Sequence, residues 1–244
     1  MALFFFISCL FSLILYMEGT GIRELRSLIE SNFWRYWDWP SNDKQLYYEW
    51  KKGVCSLNDV KTWPVDGTKI FDDGRHVLIL GSIKSACEIE AVNRRIGVPI
   101  DVVVTMNADD TPRDGEPANY AAYYRSLGVK NLRYGGIDST ALTGAEYQTK
   151  KREYIIRWQA MCDDIDDVTP VTGKVTILFH CFGGVNRSGS ALCAFLIMRK
   201  HHSAEEAVTT LVNARPGQLY WSKRDYFIEA LIEVANRARN EEPA

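Results

Sequence analysis

The chain alternates short apolar runs with longer amphipathic stretches. Turn-forming residues separate the runs, so each run is typical of a buried or half-buried strand. Five strands are predicted, at residues 68–71, 76–80, 101–106, 130–134 and 175–179. Helices are predicted at 22–37, 88–96, 119–126, 146–164, 190–198, 203–214 and 224–238. This alternation predicts an α/β fold with a central, mostly parallel, twisted sheet of about five strands flanked by helices.

The first 66 residues differ from the rest in composition. Residues 2–17 are almost entirely apolar but short for a membrane-spanning helix. Three interpretations stay open for segment 1–17: a signal peptide or anchor, a helix packed on the domain, or a wrongly assigned start with Met17 as the first residue. Residues 18–66 contain five tryptophans between positions 34 and 63, which indicates an extension folded onto a larger domain at 67–240.

The stretch from Val175 to Gly189 carries the candidate chemistry. A buried strand leads into His180 and Cys181, a loop with Gly183 and Gly184, and then an apolar helix. A loop entering a helix can aim successive N–H groups at one anion, and that positive field favours a cysteine thiolate, the form that attacks. Arg187, six residues after Cys181, offers a planar fork for two phosphate oxygens.

This spacing, H-C-x-x-G-x-x-R-S, resembles the signature of the cysteine-dependent protein tyrosine phosphatase superfamily. Residues 68–238 further resemble a dual-specificity phosphatase domain, through Leu80-Gly81-Ser82, Asp138 and Ala214-Arg215-Pro216. The resemblance implies a central sheet flanked by helices and a reaction that needs neither metal nor cofactor.

The resemblance also implies a role for each site residue. Cys181 would attack phosphorus and form a phosphocysteine, Arg187 would hold the equatorial oxygens, and the Ser188 hydroxyl would stabilise the departing thiolate. The substrate would be bound by the loop residues Phe182, Gly183, Gly184, Val185, Asn186 and Arg187. His180 would orient the loop.

Asp138 is the candidate general acid, because it follows a predicted strand where the family keeps this residue. A turn aspartate that caps the next segment remains an alternative for Asp138. The acidic run at 163–167 is the alternative source of the proton.

The implied substrate is a phosphorylated protein, at phosphotyrosine and at phosphoserine or phosphothreonine. Phe182, Val185 and Asn186 carry no positive charge, which argues against phosphoinositides. Three stretches, 186–189, 193–196 and 214–217, are also similar to the RNA 5′-triphosphatase branch. Nucleic acid is a partner under that alternative, with Arg215, Lys223 and Arg224 as basic residues. A phosphate-binding module without turnover is the third alternative.

Charge and cysteine usage narrow the remaining classes. The 244 residues carry a formal net charge of −2, which gives no general attraction to nucleic acid or to an acidic membrane. The six cysteines form no C-x-x-C pair and no metal-ligand spacing with the four histidines. A reactive thiolate requires a reducing compartment, which predicts the cytoplasm or nucleus, with membrane anchoring by residues 2–17 left open.

Overall fold

Five strands form one sheet in the order β1-β2-β5-β3-β4 in the computed structural model, which describes residues 21–31, 65–106, 120–135, 144–219 and 225–241. The strands are β1 (Thr68–Asp72), β2 (His76–Gly81), β3 (Val102–Thr105), β4 (Lys130–Arg133) and β5 (Val175–His180). The edge strand β1 pairs antiparallel with β2, and all other pairs are parallel. The predicted α/β class with a mostly parallel five-stranded sheet is confirmed.

Helices cover both faces of this sheet. They are α1 (21–31), α2 (Ile83–Cys87), α3 (Ile89–Ile96), α4 (Tyr120–Ser126), α5 (Gly144–Val168), α6 (Arg187–Lys200), α7 (Ala204–Ala214) and α8 (Asp225–Glu241). The larger apolar core joins one sheet face to α5, α6, α7 and α8, and includes Leu25 and Ile29 of α1. The smaller core joins the other face to α3 and α4. The sheet is therefore buried on both sides, as the apolar strands require.

Helix α6 is the central element of the larger core. Residues 187–197 of this helix are all buried, which explains why its sequence shows no polar face. The helix was predicted to begin at residue 190, because Gly189 was taken as part of the loop, and it begins at Arg187 instead. A Cβ on Gly189 would lie 3.4 Å from Leu211, so this glycine allows α6 to approach α7 closely rather than ending the helix.

Two other helix boundaries differ from the prediction. Helix α5 continues to Val168 instead of ending at residue 164, so the acidic run occupies its last turns. Helix α2 was not predicted; the Ser82 hydroxyl caps it by accepting a hydrogen bond from the Lys84 N–H at 3.2 Å. The capping box at Ser203 and Glu206 is confirmed at the start of α7.

Some sequence expectations concern residues outside the described ranges. These are the apolar segment 2–17 and the tryptophans between positions 34 and 63. Among the helices that are described, none has both the length and the apolar character needed to cross a bilayer.

Candidate active site

The signature loop lies at the edge of the sheet where the parallel strands end. His180, the last residue of β5, is in register with Gly81 of β2 on one side and with Thr105 of β3 on the other. The chain then turns through residues 181–186 and enters α6 at Arg187. In open α/β sheets, ligands bind outside the carboxyl ends of the strands, so this is the expected position for a site.

Cys181 and Ser188 are brought together at the two ends of the loop. The Ser188 hydroxyl donates a hydrogen bond to the Cys181 Sγ over 3.2 Å. Cys181 is 3% exposed and Ser188 is fully buried, so this contact lies at the bottom of the loop. A hydroxyl in this position can stabilise a sulfur anion through a charge-assisted hydrogen bond.

The helix start supplies further donors near the loop. Asn186 is the N-cap residue of α6, and its side chain makes no capping hydrogen bond. The Asn186 side chain therefore does not cap the first amides of α6, which carry the partial positive charge of the helix terminus. Arg187 is the first helical residue and is buried. The loop and the helix start together have the composition of an anion site.

The loop packs against the turn between β2 and α2. Gly184 has φ +65°, and a Cβ there would lie 2.6 Å from the Gly81 carbonyl oxygen and 2.9 Å from the Ser82 nitrogen. The Phe182 carbonyl accepts a hydrogen bond from the Ile83 N–H at 3.0 Å. Only glycine satisfies both the left-handed backbone and the close approach at position 184.

A buried ion pair fixes the turn that supports the loop. The Asp66 carboxylate accepts hydrogen bonds from the Ser82 N–H and hydroxyl, from the Ser85 hydroxyl, and from Arg215 at 2.7 Å. Arg215 also donates to the Leu80 carbonyl at 2.9 Å.

Burial alone would raise the pKa of the Asp66 carboxyl, but the charge of Arg215 and the serine hydrogen bonds hold it below its ordinary value of 3.8. Asp66 is therefore a carboxylate at neutral pH, and the pair connects residues 149 positions apart beside the loop.

His180 is held by a polar chain under the sheet edge. Its Nε2 lies 2.8 Å from the Thr105 hydroxyl, which also receives a hydrogen bond from the Asn131 side chain at 2.9 Å. Burial lowers the pKa of His180 to about 3, so the imidazole is neutral at physiological pH. A neutral, buried ring fits the predicted orienting role, which stays a prediction.

The predicted acid residues have different outcomes. Asp138 lies outside the described residues, so its role stays a prediction. The contacts of the acidic run at 163–167 argue against it as the proton source, because Asp163 and Asp166 bind Arg199 near the carboxyl end of α6. That position is twelve residues from Arg187, or about 18 Å along the helix.

The structure describes only one of the three basic residues that were named for an RNA substrate. Arg215 binds Asp66 and the Leu80 carbonyl, so its guanidinium supports the fold instead of standing at a pocket rim. Lys223 and Arg224 lie outside the described residues.

Asp66, Thr105 and Asn131 support this site and were not predicted from the sequence. No local pattern marks them, because their partners are distant in the chain. Within the described ranges, no group of three or more histidine, cysteine, aspartate or glutamate side chains is arranged to hold a metal ion. The four cysteines of those ranges, Cys87, Cys162, Cys181 and Cys193, are free thiols.

The sequence is similar to known proteins over part of its length. No family model matches the sequence. The chain is 37% identical over 81 residues to the mRNA-capping enzyme of Mus musculus, covering 33% of this chain and 12% of that protein. It is 28% identical over 123 residues to the human phosphatidylglycerophosphatase and protein-tyrosine phosphatase 1, covering 48% of this chain and 54% of that protein. The alignments therefore span about half, or less, of these relatives.

Solved structures agree with the fold. The crystal structure of human DUSP28 superposes with a TM-score of 0.50 at 18% identity, covering 72% of this chain and 97% of that chain. The chain thus has the fold of the dual-specificity-like cysteine phosphatases, and the spacing of residues in the loop between β5 and α6 resembles the signature of the cysteine-dependent protein tyrosine phosphatase superfamily.

Proposed function

We propose that this protein hydrolyses phosphate monoesters on tyrosine and on serine or threonine of proteins, through a phosphocysteine intermediate. The observation that carries the proposal is the Ser188 hydroxyl, which lies 3.2 Å from the Cys181 Sγ at a helix start that the Asn186 side chain does not cap. A hydrogen bond to sulfur at that position suits a reaction in which sulfur both attacks and departs as an anion.

The proposed reaction has two displacements at phosphorus. In the first, the Cys181 thiolate forms an S–P bond, the ester P–O bond breaks, and the leaving oxygen takes a proton from a general acid, for which Asp138 is our candidate. In the second, water gives a proton to the carboxylate formed in the first step and attacks phosphorus, the S–P bond breaks to restore the thiolate, and inorganic phosphate leaves. The guanidinium of Arg187 and the loop amides would stabilise the charge on the equatorial oxygens in both steps.

A second candidate is hydrolysis of an RNA 5′-triphosphate by the same cysteine chemistry. The 37% identity over 81 residues to a protein named mRNA-capping enzyme favours it. The use of Arg215 inside the fold argues against it, because a triphosphate requires several exposed cations near the pocket.

The test compares phosphate release from four substrates under one set of conditions. These are a phosphotyrosine peptide, a phosphothreonine peptide, RNA with a 5′-triphosphate, and vesicles that contain phosphatidylglycerophosphate. We expect the two peptides to be hydrolysed fastest. Faster turnover of the RNA or of the vesicles would reject the proposal that the substrate is a phosphorylated protein.

Variants of two cysteines separate chemistry from binding. Cys181→Ser should abolish turnover, and acid-quenched wild-type enzyme should carry one phosphoryl group on Cys181 by mass spectrometry. Cys87→Ser, at a half-buried cysteine outside the loop, is the matched control and should retain activity. Equal turnover by wild type and Cys181→Ser would reject an enzymatic role for this loop, and a wild type that binds phosphate without turnover would be a binding module.

A further inference from the structure

The carbonyl groups of the signature loop have buried hydrogen-bond partners behind the loop. A loop that directs its N–H groups at an anion turns its carbonyls the other way, and a buried carbonyl without a donor is costly. The Phe182 carbonyl accepts from the Ile83 N–H, and the Asn186 carbonyl accepts from the Ser190 N–H of α6 at 2.8 Å. The carbonyls of Gly184 and Val185 lie between these two points.

Gln218 provides the donors for these two carbonyls. Its side chain is fully buried in the connection between α7 and α8. With the amide oriented so that its nitrogen faces the loop, this nitrogen donates to the Gly184 oxygen at 2.7 Å and to the Val185 oxygen at 3.1 Å. The opposite orientation would place the amide oxygen against two carbonyl oxygens, which is repulsive, so the hydrogen-bond chemistry selects the first.

The backbone around Gln218 is bent in a way that places this side chain inward. Gly217 has φ +79°, and Leu219 has φ +61°, the left-handed region that leucine rarely adopts. Leu219 is itself buried in the core. A non-glycine residue in this conformation persists only when its surroundings require it. The bend therefore fixes Gln218 against the loop.

We propose that Gln218 is a positioning residue for the phosphate loop: its two hydrogen bonds keep the Gly184 and Val185 carbonyls turned away from the anion. This inference rests on the proposed phosphatase function of the same loop. Gly184 has the backbone freedom to let the following peptide rotate. A rotated peptide would direct a carbonyl oxygen, instead of an N–H, at a phosphoryl oxygen. Loss of Gln218 should therefore weaken oxyanion binding more than it disturbs the fold.

The experiment uses the full chain with two substitutions of Gln218. Gln218→Met removes both donors while keeping an unbranched side chain of similar size. Gln218→Glu removes both donors when ionised but regains one O–H donor when protonated. Gln159→Met, at an exposed glutamine of α5, is the matched control. Circular dichroism checks the fold, and the measurements are tungstate affinity by calorimetry, kcat and KM, and the pH profile of kcat/KM.

We expect Gln218→Met to weaken tungstate binding about tenfold to a hundredfold, the range for one or two hydrogen bonds that serve a charged ligand. We also expect a lower kcat, because the same amides meet the charge of the transition state. Gln218→Glu should be impaired near neutral pH and should recover part of its affinity and rate as the pH falls. Gln159→Met should match wild type in every measurement.

Three outcomes would overturn the inference. The first is a folded Gln218→Met variant that is less stable yet binds tungstate with wild-type affinity. The second is a Gln218→Glu variant without pH-dependent recovery. The third is failure of both variants to fold, which would make Gln218 part of the folding core alone.

Tungstate affinity also separates this inference from the proposed function. If wild type has no Cys181-dependent turnover but its tungstate affinity falls on Gln218→Met, the proposed function fails and the positioning role stands. If turnover is present and tungstate binding ignores Gln218, only the positioning role fails.

Discussion

The buried ion pair between Asp66 and Arg215 allows a quantitative test of how the site is held. The side chains are 5% and 12% exposed, and Asp66 also accepts hydrogen bonds from two other residues, Ser82 and Ser85. Asp66→Asn keeps the size of the side chain but leaves the guanidinium without its counter-charge. Removing one partner of a buried pair typically costs about 3–5 kcal/mol of unfolding free energy. We expect a loss in this range.

The assay is urea unfolding followed by circular dichroism, together with thermal unfolding. For a domain of this size, the same loss corresponds to a fall in Tm of roughly 6–20 °C. Asp166→Asn is the matched control, because Asp166 binds Arg199 with a side chain that is 49% exposed, and an exposed pair contributes about 1 kcal/mol or less. In the double variant Asp66→Asn/Arg215→Met, neither charge is buried alone, so its loss should be smaller than the sum of the single losses.

The pH dependence gives the sign of the effect. The pKa of Asp66 is lowered in the folded protein, so its stabilising contribution is complete above its unfolded value of 3.8 and is lost as the pH falls through the lower folded value. The difference in stability between wild type and Asp66→Asn should therefore be constant near neutral pH and shrink in acid. A loss no larger than that of Asp166→Asn, or additive single variants, would refute the reasoning.

Three further predictions concern the loop and its neighbours. Gly184→Ala should lower tungstate affinity, measured by calorimetry, at least about tenfold, because a Cβ would lie 2.6 Å from the Gly81 oxygen. Gly128→Ala is the control, because Gly128 has φ +70° with open space around the Cβ. It should leave tungstate affinity unchanged and cost only about 1 kcal/mol of unfolding free energy in urea, from backbone strain. Ser188→Ala should slow phosphocysteine hydrolysis by about tenfold to a hundredfold, so quench-flow should detect a longer-lived intermediate, and an unchanged lifetime would contradict the role of the hydroxyl. The pKa of His180 is lowered to about 3, so below pH ~6.5 the unfolded chain binds a proton that the folded protein does not. The free energy of unfolding should therefore fall as the pH decreases. A His180→Asn variant should lack this pH dependence when urea unfolding is measured at a series of pH values.

The strands and the signature loop could be predicted because their signals are local. Each strand is an apolar run bounded by turn residues, and Cys181, Arg187 and Ser188 lie within eight consecutive positions. The strand-to-helix context was enough to expect Cys181 and Arg187 at the two ends of one loop. The structure has that arrangement, and it places the Ser188 hydroxyl of α6 3.2 Å from the Cys181 Sγ.

The supports of the loop could not be predicted because their partners are distant. Asp66 precedes β1 and reads as an ordinary polar residue before a strand, yet its counter-charge is 149 positions away. Gln218 follows Pro216 and Gly217, where a polar residue is typical of an exposed turn, and its burial depends on how α7 and α8 pack. Gly189 has the same ambiguity, since a glycine is used both in loops and where helices approach closely.

The distant origin of Asp66, Arg215 and Gln218 has a consequence during protein synthesis. Residues 181–187 leave the ribosome before residues 215–218. For a time, a nascent chain therefore carries the whole signature loop without Arg215 and Gln218, which support it. A fragment that starts at residue 67 would lack Asp66, the third supporting residue. We therefore expect a nascent chain to bind tungstate at this loop only after residues 215–218 have left the ribosome and can pack against it.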